Sequence, residues 1–226
     1  MKRENGVDEM FDIFTREGLI AFLYTLPALL FCLSIHEFAH AYTAYKLGDS
    51  SQKAMGRLTL NPFAHIDLAG FASIALFGFG WGKPVMIDDR NFKNRALGNA
   101  LTAFAGPFSN LVMAVIFTVI LKVLLITGVV SSAANSSVGA IILNMLILII
   151  QFNVVFGIFN LIPIPPLDGS RILTFFLPSK GRELMYRLER YSFLIVLIIF
   201  MTGIGRYIVN PIVNLVLSLL TKFILM

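Results

Sequence analysis

Apolar and polar positions along this chain fall into long blocks, not into the short alternation of strands or the one-sided stripe of surface helices. The first block runs from Gly18 to Leu47 and stops at Gly48-Asp49-Ser50-Ser51. Two more run from Leu97 to Thr127 and from Val138 to Leu161, the latter broken by Pro163, Pro165 and Pro166. Each is long enough for a spanning helix, which needs about 20 mostly apolar residues. The stretch from Leu68 to Phe79 is apolar but short and holds Gly70, Gly78 and Gly80 nearby, which suits a half-buried or re-entrant segment. Trp81 to Ile87 reads as an extended piece, with Pro84 placing it at an edge. Gly169 to Phe176 predicts a short helix, and Ser131 to Ser137 a short uncharged loop. Beyond the basic stretch Lys180 to Arg190, two apolar runs flank Gly203-Ile204-Gly205-Arg206, as two short helices or one kinked one. The pattern predicts an all-α polytopic membrane protein with about five to six transmembrane or re-entrant helices. It divides into a polar N-terminal segment 1–17, an intramembrane core 18–177, a basic connector 178–190 and C-terminal membrane helices 191–226.

Composition agrees with this reading. Hydrophobic residues make up 57% of the 226 and charged residues only 14%, too few to cover a soluble surface. The net charge of +5 gives no nucleic-acid stripe, because the 18 Lys and Arg are scattered through short segments between apolar runs. They gather at 46–57, 83–95 and 171–190 and are absent from 128–137. By the positive-inside rule the first three segments face the cytoplasm and the last lies outside. The first 17 residues mix acids with bases, unlike a signal peptide, so the apolar run after them is retained.

Candidate chemistry begins inside the first block, at His36-Glu37-Phe38-Ala39-His40. The chain has three histidines, and two of them stand four residues apart here. On a helix that spacing turns about 400° and rises about 6 Å, so both imidazoles project from one face and can share a cation. Glu37 lies beside that cation, where it can take a proton from a bound water. Ionisable groups within an apolar helix are costly unless a metal or partner satisfies them, which favours a metal site over a structural pair.

On the residues alone the third ligand is open. Three and six positions beyond His40 stand Thr43 and Lys46, not a histidine. Glu183 and Glu189 lie among Arg182, Arg187 and Arg190, where ion pairing is the simpler account. His65 beside Pro62-Phe63 reads as a loop residue, a supporting partner or a ligand. Cys32, the sole cysteine, reads as a buried small hydrophobe more readily than as a thiolate ligand. Asp168 is better placed, at the end of the proline-broken span, where freed backbone needs protein or a watery cavity around it. Its alternative is to cap the helix from Gly169.

The HExxH motif followed by Asn160-Leu161-Ile162-Pro163-Ile164-Pro165-Pro166-Leu167-Asp168-Gly169 resembles the site-2 protease family of intramembrane zinc metalloproteases. Gly56-Arg57-Leu58-Thr59-Leu60-Asn61-Pro62, Gly82-Lys83-Pro84-Val85 and Ala105-Gly106-Pro107-Phe108-Ser109-Asn110 look like its small prokaryotic members. The resemblance covers about residues 20–175 and implies His36, His40 and Asp168 as ligands of one zinc ion per chain, with Glu37 as catalytic acid/base. Asn160 matches the Asn thought to hold substrate or oxyanion; on sequence alone a helix-interior Asn bonded to a neighbouring helix is nearly as good a reading. Segment 81–92 corresponds to a small membrane-associated β region where substrate adds as a strand. Asn110 and Gly106-Pro107 read as packing and kink elements. The chain has no room for the PDZ or CBS domains of larger members.

The function implied is hydrolysis of transmembrane protein substrates within the bilayer of a prokaryotic cell, the site lying towards the cytoplasm, with no nucleic-acid partner. A regulatory membrane protein or a second copy are further partners to consider. The rival from another class is a membrane metal transporter or sensor, which would use the same ligands without needing Glu37.

Overall fold

The computed structural model describes residues 15–226 except 78, 79 and 84. Most of the polar N-terminal segment, Gly78 and Pro84 therefore lie outside the described residues. Among the described residues ten α-helices follow one another: α1 (Arg16–Lys46), α2 (Ser51–Ala54), α3 (Leu68–Phe77), α4 (Arg95–Ile126), α5 (Val129–Ala134), α6 (Ser137–Asn160), α7 (Asp168–Phe176), α8 (Ser179–Glu189), α9 (Ser192–Thr202) and α10 (Ile204–Leu225). Among the described residues four of them, α1, α4, α6 and α10, are long and apolar enough to cross a membrane. α3 and α9, with 10 and 11 residues, are too short to do so unaided. The chain is thus a helical, multi-pass membrane protein.

Helix ends follow local chemistry. Thr15, Asn94 and Ser136 cap α1, α4 and α6 by accepting the N–H of Gly18, Leu97 and Gly139. The tail resolves into two helices because the chain turns at Gly203, with φ of 66°. The uncharged loop expected at 131–137 is partly the short helix α5, and the basic connector is the helix α8. In both cases short polar runs carry helix-forming residues whose helicity the apolar-block pattern does not report.

α4 is the centre of the bundle, packing against α1, α6 and α7. Ala114 of α4, Val154 and Ile158 of α6, and Val209 and Val213 of α10 form the buried apolar core. These small and β-branched side chains let the helices approach closely where hydrophobicity alone gives no drive to associate.

Among the described residues the segment after α3 forms no sheet and is held by a single main-chain bridge and by side chains. One antiparallel bridge joins Ile66 to Gly82, and the Lys83 N–H donates to the His65 carbonyl at 2.8 Å. Arg57 donates to the carbonyls of Ala64 and Lys83, and Gln52 to that of Met86 at 2.7 Å. Asp49, fully buried past the end of α1, accepts from the N–H groups of Ser51 and Asp88 and from the Gln52 amide. Burial alone would raise this carboxyl, but these donors hold it below the ordinary value of 3.8. Its stabilisation is therefore complete above 3.8 and is lost as pH falls through the lower folded-state value. Asp49→Asn is expected to cost about 1–3 kcal/mol at neutral pH. Unfolding in detergent micelles checks this, and the gap from wild type narrows once the pH drops below 3.8.

Candidate metal centre

His36 and His40 face the interior of the bundle from α1, where both are buried. Each ring is fixed through its Nδ1. His36 Nδ1 lies 2.7 Å from the Asn110 side-chain oxygen, and His40 Nδ1 lies 2.6 Å from the Thr102 carbonyl. Both partners are on α4, and both oxygens only accept, so each Nδ1 carries the proton and each Nε2 presents a lone pair.

Those two Nε2 atoms stand 2.9 Å apart. Asp168 Oδ2 completes a triangle with them, 3.1 Å from His36 and 3.2 Å from His40. No proton is left for this triangle when both rings are neutral, and Asp168 Oδ2 is buried without a hydrogen-bond partner. Three electron pairs converging in a buried place call for a cation. A tetrahedral zinc ion with bonds of about 2.0–2.1 Å keeps its ligand atoms roughly 3.3 Å apart, close to the edges of this triangle. Two imidazoles and a carboxylate are also a common zinc donor set. The residues fit the metal.

Local packing explains how Asp168 arrives there. α6 ends at Asn160, and the proline-rich turn brings the chain back so that α7 starts against it. A β carbon at Gly169 would overlap the carbonyls of Leu161 and Ile162, so only glycine permits this approach. Asp168 is the first residue of α7, and no side-chain cap is formed at that end. Of its two expected roles, the structure places it as the third corner of the triangle. Gly106 backs the other corners: a β carbon there would overlap the imidazoles of both His36 and His40.

A cavity of about 470 Å³ opens beside the triangle. Its walls include Glu37 and Asn160 with the three triangle residues, Trp81, Gly82, Val85 and Ile87 from the extended segment, and Phe193 and Val196 from α9. Trp81 and Phe193 meet edge to face across it, with ring centroids 6.3 Å apart. Asn160 donates to the Phe156 carbonyl of its own helix at 3.0 Å, not to a neighbouring helix. A second, more polar cavity of about 330 Å³ shares Val85, Ile87 and Arg171 with the first and is bordered by Asp89, Arg182 and Glu189.

The other sequence candidates fall away from the triangle. His65 is fully buried in its loop, where Nε2 meets the Thr59 carbonyl at 2.8 Å. Glu183 pairs with Arg187, and Glu189 with Arg171. Cys32 is buried with its thiol near the Phe152 carbonyl. Asn110, read from sequence as a packing element, instead touches His36 directly. Thr102 was not singled out, because a main-chain carbonyl carries no residue-type signal. Asn153, the partner of Asn110, was detectable only as a polar residue within an apolar span.

Fold and triangle together form a candidate metal site on a helix long and apolar enough to cross a membrane, and comparison with known sequences gives the class of the chain. The chain belongs to peptidase family M50, the site-2 protease family of zinc metalloproteases, whose pattern matches residues 24–203. It is 41% identical over 192 residues to the Bacillus subtilis protein named "Putative zinc metalloprotease YwhC", covering 84% of this chain and 86% of that one. It is 30% identical over 187 residues to "Putative zinc metalloprotease Rip2" of Mycolicibacterium smegmatis, covering 80% of this chain and 68% of the relative. No solved structure matches it.

Gly106→Ala tests the packing behind the rings. Overfilling here is expected to cost about 1–3 kcal/mol, which corresponds to a roughly 5- to 150-fold weaker zinc affinity in chelator competition, with the helical content unchanged.

Proposed function

We propose that this protein hydrolyses peptide bonds in or near transmembrane segments of other membrane proteins. The observation that carries the reading is the convergence of His36, His40 and Asp168 on one wall of a cavity that Glu37 and Asn160 also line. His36, His40 and Asp168 are the residues that would hold zinc. Bound there, zinc supplies Lewis acidity, polarising a carbonyl and lowering the pKa of water towards about 7.

Glu37 is half-buried in the cavity wall, and its side chain makes no hydrogen bond or ion pair among the described residues. It accepts the proton of the attacking water and returns it to the leaving amine as the C–N bond breaks. Asn160 has a second amide hydrogen beyond the one given to Phe156, and it holds the substrate carbonyl as negative charge develops there.

A helical substrate must unwind first, because its carbonyls are already hydrogen-bonded. Val85 and Ile87 line the cavity, and their main-chain groups make no hydrogen bond among the described residues. An extended substrate adds beside them as a strand. α3 and α9 dip into the bilayer alongside the spans. The site lies towards the cytoplasm: His40 is about 9 Å of helix before the end of α1, next to the basic segment 46–57.

Glu37→Gln is expected to bind zinc as wild type does and to lower cleavage by about 10²- to 10⁴-fold. The measurement compares membrane-protein fragments between cells carrying the two forms, alongside the metal content of each purified protein. Unchanged cleavage by Glu37→Gln would overturn the mechanism.

A further inference from the structure

Asn110 and Asn153 are 0% exposed in the middle of the bundle, so no solvent competes for their amides. Their hydrogen bonds form one directed chain. Asn153 Nδ2 donates to the Ile149 carbonyl of its own helix at 2.8 Å, which leaves Asn153 Oδ1 towards α4. Asn110 Nδ2 donates to that Oδ1 at 2.8 Å and to the Cys32 carbonyl of α1 at 3.1 Å. Main-chain carbonyls only accept, so both amides are oriented without ambiguity. Asn110 Oδ1 is then the atom that faces His36 Nδ1.

The chain decides more than where the ring sits. A reversed Asn110 amide would present N–H to Nδ1, leave the proton on Nε2 and remove the lone pair from the triangle. We infer that Asn110, locked by Asn153 and the Cys32 carbonyl, is a positioning residue that holds His36 in the one tautomer able to bind metal. His40 receives the same instruction from a main-chain carbonyl, which no substitution of Thr102 removes. The two histidines are therefore unequal: His36 depends on side chains of two other helices, His40 on the backbone of one. This inference rests on the zinc reading of the triangle and adds the groups that make it selective for a cation.

The test measures zinc affinity of the full-length protein in micelles by chelator competition, and the visible spectrum of its cobalt(II) form. Asn110→Ala removes the acceptor, and Asn153→Leu frees the Asn110 amide to turn. Each is expected to weaken zinc binding by about 10- to 100-fold and to shift the cobalt bands. Asn110→Asp keeps an oxygen acceptor at His36 and is expected to hold affinity within about threefold of wild type. Thr118→Val is the control: this buried hydroxyl on α4 bonds only the Ala114 carbonyl of its own helix, so its loss shifts unfolding without changing zinc affinity. Should Asn110→Ala fail to fold, Asn153→Leu and Asn110→Asp carry the comparison. Zinc affinities of the Asn variants within about twofold of wild type, with unchanged cobalt spectra, would overturn the positioning role. A wild-type protein that binds no zinc would instead overturn the metal reading on which it rests.

Discussion

Three lone pairs, two from imidazole and one from carboxylate, point at one another across about 3 Å inside a membrane bundle. Left alone they repel in a medium that screens poorly, so the arrangement makes sense only around a positive charge. The rest of the structure answers that constraint. The four-residue spacing puts both rings on one face of α1, and α4 supplies the oxygens that fix them. A proline-broken return at the end of α6 delivers the carboxylate. An apolar core of Ala114, Val154, Ile158, Val209 and Val213 then holds α4 and α6 together with α10.

Much of this was legible in the sequence because the bilayer simplifies it. Long apolar blocks gave the spans α1, α4 and α6 to within about two residues, since length against bilayer thickness is a strong signal. The two histidines were legible because HExxH brings a rare residue type into an apolar setting, while Asp168 was singled out as third ligand by the resemblance of its segment to a known family. What the sequence withheld is tertiary. Nothing in the spacing of Asn110 says that it meets His36, which lies one helix away, and a uniformly apolar span does not mark which side faces the protein. Buried amides such as Asn153 were visible as anomalies but not as partners. The helical nature of α8 escaped for the opposite reason, since its charged residues read as a connector.

The extended segment shows a different economy. Outside the helices its backbone is costly to leave unpaired, and Asp49, Gln52, Arg57 and His65 take up the Asp88 N–H, the Met86 and Lys83 carbonyls and the Lys83 N–H. These polar residues follow α1 in the chain, so the stretch after the helix that bears the histidines anchors one wall of the cavity. Val85 and Ile87 then stand between a larger, mostly apolar cavity and a smaller charged one. The site has a greasy side and a wet side within a few residues.

The ligand triangle also has a topological meaning. It ties the middle of α1 to the first residue of α7, with α4 and α6 lying in the loop of chain between them. An ion held there acts as a reversible cross-link over most of the core, closing a long loop whose entropy the unfolded chain would otherwise keep. Two of the helices enclosed by that loop, α4 and α6, bear Asn110 and Asn153. With an ion bound, metal capture and assembly of the bundle would be one linked equilibrium.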